Sequence, residues 1–312
     1  MVRNYQIMIN NSSGFVLNTG EVSIRRAIEQ SELPYQAIHF LSPQDLTEKL
    51  SRMRPCDQTV PLIGGGDGTI RSCAMALMDK DIPFGILPMG TMNLLAHDLG
   101  LSTNLEDALS AYARPHTQTL TIDVGMVNNQ CFLCCAGLGI MPKASRYREK
   151  LRKNNDLSLY PKLTAFILEH MNPDHFKSLV IEIPPSKRIR MRTASLVVSN
   201  NQFTEQTAPG ESRFKKATLQ DGQMAIYALK SKGWLEKLIF FSKLGLGGWK
   251  SDPLIEEWTC REAIIKAKDD TVLVSLDGEP TEMRTPLKFE IKRLRLKLLI
   301  PGTSLENTEA CT

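Results

Sequence analysis

Residues 64–69, with the sequence Gly-Gly-Gly-Asp-Gly-Thr, constrain the fold of this chain more than any other segment. They directly follow the apolar run 60–63 and precede a helix-compatible segment at 70–78. Because glycine has no Cβ, such a backbone can adopt positive φ and approach a ligand closely. Backbone N–H groups and the positive end of the following helix then face the same anion. The order of strand, glycine turn and helix therefore predicts a phosphate-binding loop.

Two common nucleotide-binding templates do not fit this glycine loop. A Walker A motif is excluded because no Gly-Lys pair occurs anywhere in the sequence. A dinucleotide-binding fingerprint is excluded because Thr69 stands where its third glycine is required. A turn that only allows the strand and helix to pack tightly stays open as the alternative, although three consecutive glycines lose much chain entropy on folding.

The composition of the chain is typical of an ordinary globular protein. The chain has 312 residues, of which 42% are hydrophobic and 23% charged, as in ordinary globular proteins. Its net charge of +4 is too small to indicate nucleic-acid binding by itself. We find neither a signal peptide nor an apolar run of the roughly 18 residues that a membrane span needs, and expect a cytoplasmic protein, peripheral to a membrane. The seven cysteines lack framework or zinc-site spacing and predict reduced thiols.

The pattern of predicted elements changes along the chain. Strands and helices alternate over residues 1–124, which predicts a three-layer α/β domain with a parallel sheet. Residues 125–301 contain mostly alternating strand patterns, with helical stretches at 159–170 and 234–244, and predict a β-sandwich domain. A polar tail follows at 302–312. The expected fold class is therefore α/β plus all-β.

Further polar residues follow other strands of the predicted parallel sheet. The turn at 88–93 contains Thr91 and Asn93, and Asn10 ends the first predicted strand. Because adjacent parallel strands deliver their C-terminal loops to one edge, we expect these side chains near Asp67. Helix caps and Asx turns explain the same residues without a ligand, so this alternative stays open.

Two Asp-Gly pairs separate strand patterns in the second half of the chain. They lie at 221–222 and 277–278, and Glu279 follows the second pair. Asp-Gly between strands is a strong hairpin signal. Each hairpin either presents a carboxylate to a cleft between the domains or carries solvated surface acids.

This set of motifs resembles the diacylglycerol kinase catalytic domain family, and the bacterial lipid kinases in particular. The matching pieces appear in family order and span nearly the whole chain, at residues 10–14, 64–69, 88–93, 199–200, 221–222 and 277–279. The glycine hexapeptide is shared with NAD kinases and sphingosine kinases. The Pro-Met-Gly-Thr-Met-Asn turn at 88–93 favours the lipid branch.

The resemblance implies an ATP-dependent kinase that phosphorylates a lipid hydroxyl, with ATP between the two domains and Mg²⁺ as a second cofactor. Glu279 is implied as the proton acceptor, with Asp277 and Asp67 as the other catalytic residues. Asp221 and the backbone carbonyls of Thr218 and Gln223 are implied ligands of a structural Mg²⁺, an ion that prefers hard oxygen ligands. The implied nucleotide-binding residues are Gly64, Gly65, Gly66, Asp67, Gly68, Thr69 and Thr91, and the shared sheet edge adds Asn93 and Asn10 to the nucleotide-binding set.

A lipid substrate also implies contact with a bilayer. The basic stretch 143–153 and the apolar stretch 234–244 are either membrane-docking segments or a solvated and a core helix. We expect no nucleic-acid partner, and a homodimer is compatible with the resemblance.

Two other functions stay open. A NAD kinase or another kinase of soluble alcohols would use the same loop, although the chain lacks the Gly-x-x-Gly-Phe-Leu segment of NAD kinases. A non-catalytic nucleotide sensor is the alternative from another class. Diacylglycerol, phosphatidylglycerol, a sphingoid base and an undecaprenyl-like alcohol all fit a hydroxyl on an apolar tail.

Overall fold

The computed structural model describes residues 4–55, 59–114, 116–153, 158–170, 176–204, 215–230 and 249–302. The chain forms two compact units. The first comprises the described residues of Met1–Ile122 and Arg293–Thr312, and the second comprises those of Asp123–Lys292.

A four-stranded parallel sheet with the order β2-β1-β3-β4 is the centre of the first unit. Its strands are β1 (Asn4–Asn10), β2 (Tyr35–Leu41), β3 (Thr59–Gly65) and β4 (Gly85–Pro88). The helices of this unit are α1 (Gly14–Thr19), α2 (Glu21–Gln30), α3 (Pro43–Arg52), α4 (Asp67–Leu77), α5 (Leu94–Asp98) and α6 (Leu105–Ala113). The parallel sheet predicted for the N-terminal region is therefore confirmed.

Apolar residues at helical spacing cover the sheet. Ile24 and Ile28 of α2 lie one turn apart and pack with Ile7 of β1 in one buried core. Helices α3 and α4 pack on each other and against β1 and β3. Leu46 and Leu50, one turn apart on α3, are fully buried there. Burial of these stripes orients the helices and leaves the carboxyl ends of the strands to the loops.

The end of the chain returns to the first unit. In β16 (Leu287–Pro301), the amide of Leu299 donates to the carbonyl of Phe84 at 2.8 Å. The hydroxyl of the buried Tyr112 donates to the carbonyl of Leu299 at 3.0 Å. Residues 293–302 thus belong with the α/β unit, whereas the sequence pattern assigned the chain through 301 to the β domain. Most of the predicted tail, 303–312, lies outside the described residues.

Two six-stranded sheets build the second unit, in the orders β12-β11-β10-β7-β14-β15 and β6-β5-β16-β13-β8-β9. Leu138, Leu196 and Val274 of the first sheet share one buried core with Ile181, Ile265 and Phe289 of the second, which makes a β-sandwich. The β-rich C-terminal region is confirmed. The strands are β5 (Thr117–Val127), β6 (Gln130–Phe132), β7 (Cys135–Gly139), β8 (Lys177–Ile183), β9 (Lys187–Thr193), β10 (Ser195–Asn200), β11 (Met224–Leu229), β12 (Ile255–Cys260), β13 (Glu262–Ala267), β14 (Thr271–Leu276), β15 (Glu279–Arg284) and β16.

Two helices interrupt the strands of the second unit. They are α7 (Ile140–Lys153) and α8 (Leu159–His170), and the rings of Tyr147 and Phe166 stack between them at 4.5 Å. The helix predicted over 234–244 lies outside the described residues. Within the described ranges, no helix combines the length and the apolar character needed to cross a bilayer.

Candidate active site

The carboxyl ends of three neighbouring strands meet at one edge of the parallel sheet. In the register, Ile9 of β1 lies beside Gly64 of β3, and Gly65 lies beside Pro88 of β4. The side-chain amide of Asn10 donates to the hydroxyl of Thr69 at 2.8 Å, so the end of β1 is tied to the loop after β3. The expected convergence of these loops is confirmed.

Glycine is required in these loops by close approach and not by a left-handed backbone. A Cβ built on Gly90 would lie 2.6 Å from the Cα of Gly66, and one on Gly65 would lie 2.6 Å from the Cβ of Thr69. The residues with positive φ do not include any glycine of the loop, which corrects one sequence-based expectation. Gly64 has a packing reason of its own, because a Cβ there would meet the sulfur of Met89 at 2.8 Å.

Helix α4 begins in the glycine loop, and its N-cap residue is a glycine. Gly66 is the N-cap residue and has no side chain with which to cap the first turn, which contains Gly68 and Thr69. The first amides of a helix lack intrahelical partners and carry partial positive charge. A phosphate or carboxylate group from a ligand is the natural partner for such an end.

Asp67 and Asn93 hold the two glycine turns in place. The Asp67 carboxylate accepts from the amide of Leu94 at 2.6 Å, which links the start of α4 to the start of α5. Asn93 is buried in a left-handed conformation with φ 46°, and its side chain bonds to the N–H and C=O of Gly90 at 2.8 and 2.9 Å. Thr91 is exposed in the same turn. Of the two residues predicted there to bind nucleotide, Asn93 thus closes its own turn, while Thr91 faces solvent.

The two acids of the β14–β15 hairpin have opposite environments. Asp277 is buried, and its carboxylate accepts from the amides of Leu133, Cys134 and Cys135 at 2.8, 2.8 and 3.0 Å. Glu279, the first residue of β15, is exposed. The pair that the sequence predicted as neighbouring catalytic groups is therefore divided into an inward and an outward carboxylate.

A buried polar cluster surrounds the turn at Asp221. The Asn201 side-chain amide donates to Asp221 at 2.6 Å and to the fully buried Asp123 at 2.9 Å. The Asp123 carboxylate also accepts from the amide of Gly222 at 2.6 Å. Because the Asn201 nitrogen faces two carboxylates, its Oδ1 points elsewhere, and it has no hydrogen-bond partner among the described residues.

The predicted metal ligands lie in this cluster. Asp221 accepts from the amide of Gln223 at 2.9 Å, and the Gln223 carbonyl accepts from the amide of Asn201 at 3.1 Å. Thr218 lies just before the turn, and its hydroxyl accepts from the amide of Gln220. Sequence reasoning missed Asp123 and Asn201. The available signal was the acid Asp123 within the predicted strand 120–124, since a buried charge needs partners.

None of the five described cysteines forms a disulfide. Burial raises the pKa of the Cys73 thiol, and it raises that of Cys260 to about 11. Thiols with a raised pKa are poor nucleophiles. Among the described residues, no group of three or more His, Cys, Asp and Glu side chains is arranged to hold a metal.

Comparison with known proteins shows which family part of this chain resembles. Residues 4–127 match the model of the diacylglycerol kinase catalytic domain. A Staphylococcus haemolyticus protein provisionally named a lipid kinase is 26% identical over 261 residues, which cover 81% of this chain and 79% of that protein. A Staphylococcus aureus MRSA252 protein with the same provisional name is 26% identical over 251 residues, covering 78% and 77%.

The fold also matches a solved structure. A Bacillus anthracis protein provisionally described as a diacylglycerol kinase superposes with a TM-score of 0.71 at 19% identity, covering 97% of this chain and 98% of that one. At this identity the match establishes the shared fold.

Proposed function

We propose that the protein is a kinase that transfers the γ-phosphoryl group of ATP to a lipid hydroxyl, because residues 4–127 match the model of the diacylglycerol kinase catalytic domain. One observation carries the proposal: Gly66 and Gly90 are in backbone contact at the start of α4, where the N-cap residue is a glycine, inside the matched region. Two relatives provisionally named lipid kinases favour a lipid over NAD as the acceptor.

The first unit would hold the nucleotide phosphates. Amides at the start of α4 donate to phosphate oxygens, and the positive end of the helix stabilises the negative charge. Asp67 keeps α4 and α5 in register through the amide of Leu94, and Asn10 orients Thr69. When bound, ATP supplies the phosphoryl group and Mg²⁺ neutralises charge on it. The protein's contribution to such a reaction is mostly positioning.

Glu279 would remove the proton from the attacking hydroxyl. Glu279 is exposed at the first position of β15, on a hairpin that is held by the hydrogen bond from the Cys134 amide to the Asp277 carboxylate. A carboxylate that reaches solvent can accept a proton from a substrate and return it to water. In this proposal Glu279 is the catalytic base, and Asp67 organises the phosphate-binding loops.

The proposal predicts that Gly90→Ala weakens ATP binding. The new Cβ would lie 2.6 Å from the Cα of Gly66 and 2.8 Å from Oδ1 of Asn93, so the two turns must separate. Displacement of binding groups by about 1 Å can reduce function by about 100-fold, and we expect a loss of ATP affinity of about 10- to 100-fold by calorimetry. Met75→Ala, on the exposed part of α4, is the control. An unchanged Kd for ATP in Gly90→Ala contradicts the phosphate-binding role of the loop.

We also propose that Asp221 and its neighbours bind a structural Mg²⁺. The residues fit such an ion in their chemistry, because the carboxylates of Asp221 and Asp123 and the partnerless Oδ1 of the buried Asn201 are all hard oxygen donors. The carbonyls of Thr218 and Gln223 would complete the set. This ion would hold the turn after β10 in the β-sandwich, and the phosphoryl transfer itself does not use it.

Magnesium is then expected to stabilise the wild-type protein against heat. Saturation at about 100 times the Kd adds about 2.7 kcal/mol, which raises the Tm of a domain of this size by about 5–10 °C. Asp221→Asn should lose this rise, whereas Asp269→Asn, an exposed surface acid paired with Lys177, should keep it. An equal magnesium-dependent rise in Asp221→Asn would show that the ion binds elsewhere.

The acceptor is identified by an assay with labelled ATP. Candidate lipids, presented in anionic or neutral vesicles, are diacylglycerol, phosphatidylglycerol, a sphingoid base and an undecaprenyl-type alcohol, with NAD as the soluble alternative. The exposed Arg146 and Lys150 of α7 motivate the anionic vesicles, since we propose that this face contacts the membrane peripherally. Label in one lipid supports a lipid kinase. Label in NAD alone overturns the lipid assignment, and label in no acceptor overturns the kinase proposal.

A further inference from the structure

The hairpin that carries Glu279 is attached to the second unit through the side chain of Asp277. We infer that Asp277 is a positioning residue: its carboxylate fixes the turn that presents Glu279, and it acts on the reaction through Glu279 without touching substrate. This inference rests on the proposed function, in which Glu279 accepts the proton of the lipid hydroxyl.

Three consecutive backbone amides converge on the Asp277 carboxylate. Oδ2 accepts from Leu133 at 2.8 Å, while Oδ1 accepts from Cys134 at 2.8 Å and from Cys135 at 3.0 Å. The Asp277 amide donates in return to the carbonyl of Cys135 at 2.9 Å. Only a carboxylate offers two acceptor oxygens in this geometry, and bonds to an ionised acceptor are roughly twice as strong as neutral ones.

The segment 133–135, whose amides donate to Asp277, is itself held in place by buried residues. The Leu133 carbonyl accepts from the side chains of Asn200 and Lys216 at 3.0 and 3.1 Å, and both of these residues are buried. The Cys134 carbonyl accepts from the backbone amide of Asn200 at 3.0 Å. Asp277 therefore ties the hairpin to a fixed point in the interior.

The backbone of the turn explains how this tie orients Glu279. Leu276 pairs with Glu279 across the hairpin, and the two residues between them, Asp277 and Gly278, have φ of 49° and 88°. A left-handed backbone is unfavourable for residues other than glycine, although Asp tolerates it better than most. The hydrogen bonds from the three backbone amides hold Asp277 in this conformation. Its carboxylate is therefore buried, and β15 begins with Glu279 exposed.

The simple alternative is that Asp277 only stabilises the fold, and kinetics separate the two roles. We expect Asp277→Asn to lower kcat about 10- to 100-fold with an unchanged KM for ATP. Its residual activity should keep the wild-type pH profile, because Glu279 still accepts the proton. The double variant Asp277→Asn/Glu279→Gln should be no slower than Glu279→Gln alone, as expected for residues that act as a unit. Losses that multiply in the double variant, or a wild-type kcat in Asp277→Asn, overturn the inference.

Hydrogen exchange tests the same inference without a kinase assay. In the intact 312-residue chain, the amides of Leu133, Cys134 and Cys135 should exchange at least about tenfold faster in Asp277→Asn, while the amides of β1 and β3 should exchange at unchanged rates. Unchanged exchange at residues 133–135 overturns the inference. If the wild-type protein phosphorylates no acceptor, the proposed function fails, and exchange alone decides whether Asp277 holds the hairpin.

A second variant covers the case in which Asp277→Asn does not fold. Lys216→Met keeps the length and apolar body of the buried side chain but removes its bond to the Leu133 carbonyl. We expect faster exchange at residues 133–135 and a lower kcat with an unchanged KM for ATP. Faster exchange with a wild-type kcat would overturn the link between this segment and Glu279.

Discussion

Glu279→Gln is expected to lower kcat by about 100- to 10,000-fold, the usual contribution of a general base. The amide that replaces the carboxylate has nearly the same size but cannot accept a proton from the lipid hydroxyl. Because Glu279 is exposed at the start of β15, the substitution should leave the thermal midpoint unchanged. The Kd for ATP should also be unchanged, since the loops proposed to bind phosphate lie in the other unit.

A matched variant on the same strand controls for the loss of charge. Glu282 is exposed on β15 and pairs with Arg146 on the surface at 3.1 Å. Surface pairs of this kind contribute little to stability, so Glu282→Gln should keep kcat within about twofold. Steady-state kinetics with the identified lipid and calorimetry with ATP measure both variants. Turnover near the wild-type rate in Glu279→Gln would show that another group accepts the proton.

Asp67→Ala is expected to reduce kcat/KM for ATP by at least about 100-fold, because the substitution releases two loops at once. The Leu94 amide loses the carboxylate that accepts from it at 2.6 Å, so α5 and the turn with Gly90 can move away from α4. The amides at the start of α4, proposed to bind phosphate, then lose their fixed position relative to that turn. Some loss of stability, about 1–3 kcal/mol, should accompany the effect, since a backbone amide is left without its acceptor.

Asn104→Ala separates the kinetic effect of Asp67→Ala from its effect on stability. Asn104 caps α6 through the amide of Asp107 at 3.1 Å, and its loss should destabilise the same unit by about 0.5–2 kcal/mol. Thermal unfolding and kinetics are measured on both variants. We expect Asn104→Ala to unfold earlier yet keep its kcat/KM. If Asp67→Ala also keeps its kcat/KM, the glycine loop has no part in the reaction.

Local sequence patterns were sufficient for the fold class. Alternating strand and helix patterns predicted the parallel sheet, and period-two patterns with Asp-Gly turns predicted the β-sandwich. These patterns can be recognised in the sequence because side-chain periodicity and turn chemistry depend on residues a few positions apart. The sequence pattern could not predict that the end of β16 belongs to the first unit, because an apolar strand does not indicate which sheet edge it joins. The bonds of Leu299 to Phe84 and Tyr112 decide that.

The candidate site also has features that the sequence predicted and features that only the structure showed. The glycine loop, the turn at 88–93 and the Asp-Gly-Glu hairpin were all visible in the sequence. The reason for the glycines was not: the sequence suggested a left-handed backbone, whereas Gly66 and Gly90 are needed for close contact between two loops. Asp123 and Asn201 were missed because their partners lie far away along the chain, as in the bond between Asn201 and Asp123, which are 78 residues apart.

The sequence by itself determined that this chain would place glycine loops at the edge of a parallel sheet and two acids on a late hairpin. Only the tertiary structure decided which acid turns inward. Asp277 meets amides more than 140 residues earlier in the chain, while Glu279, two positions later, is exposed. The physical reason is that residue type and spacing encode local conformation, whereas burial and hydrogen-bond partners depend on which distant segments the folded core brings together.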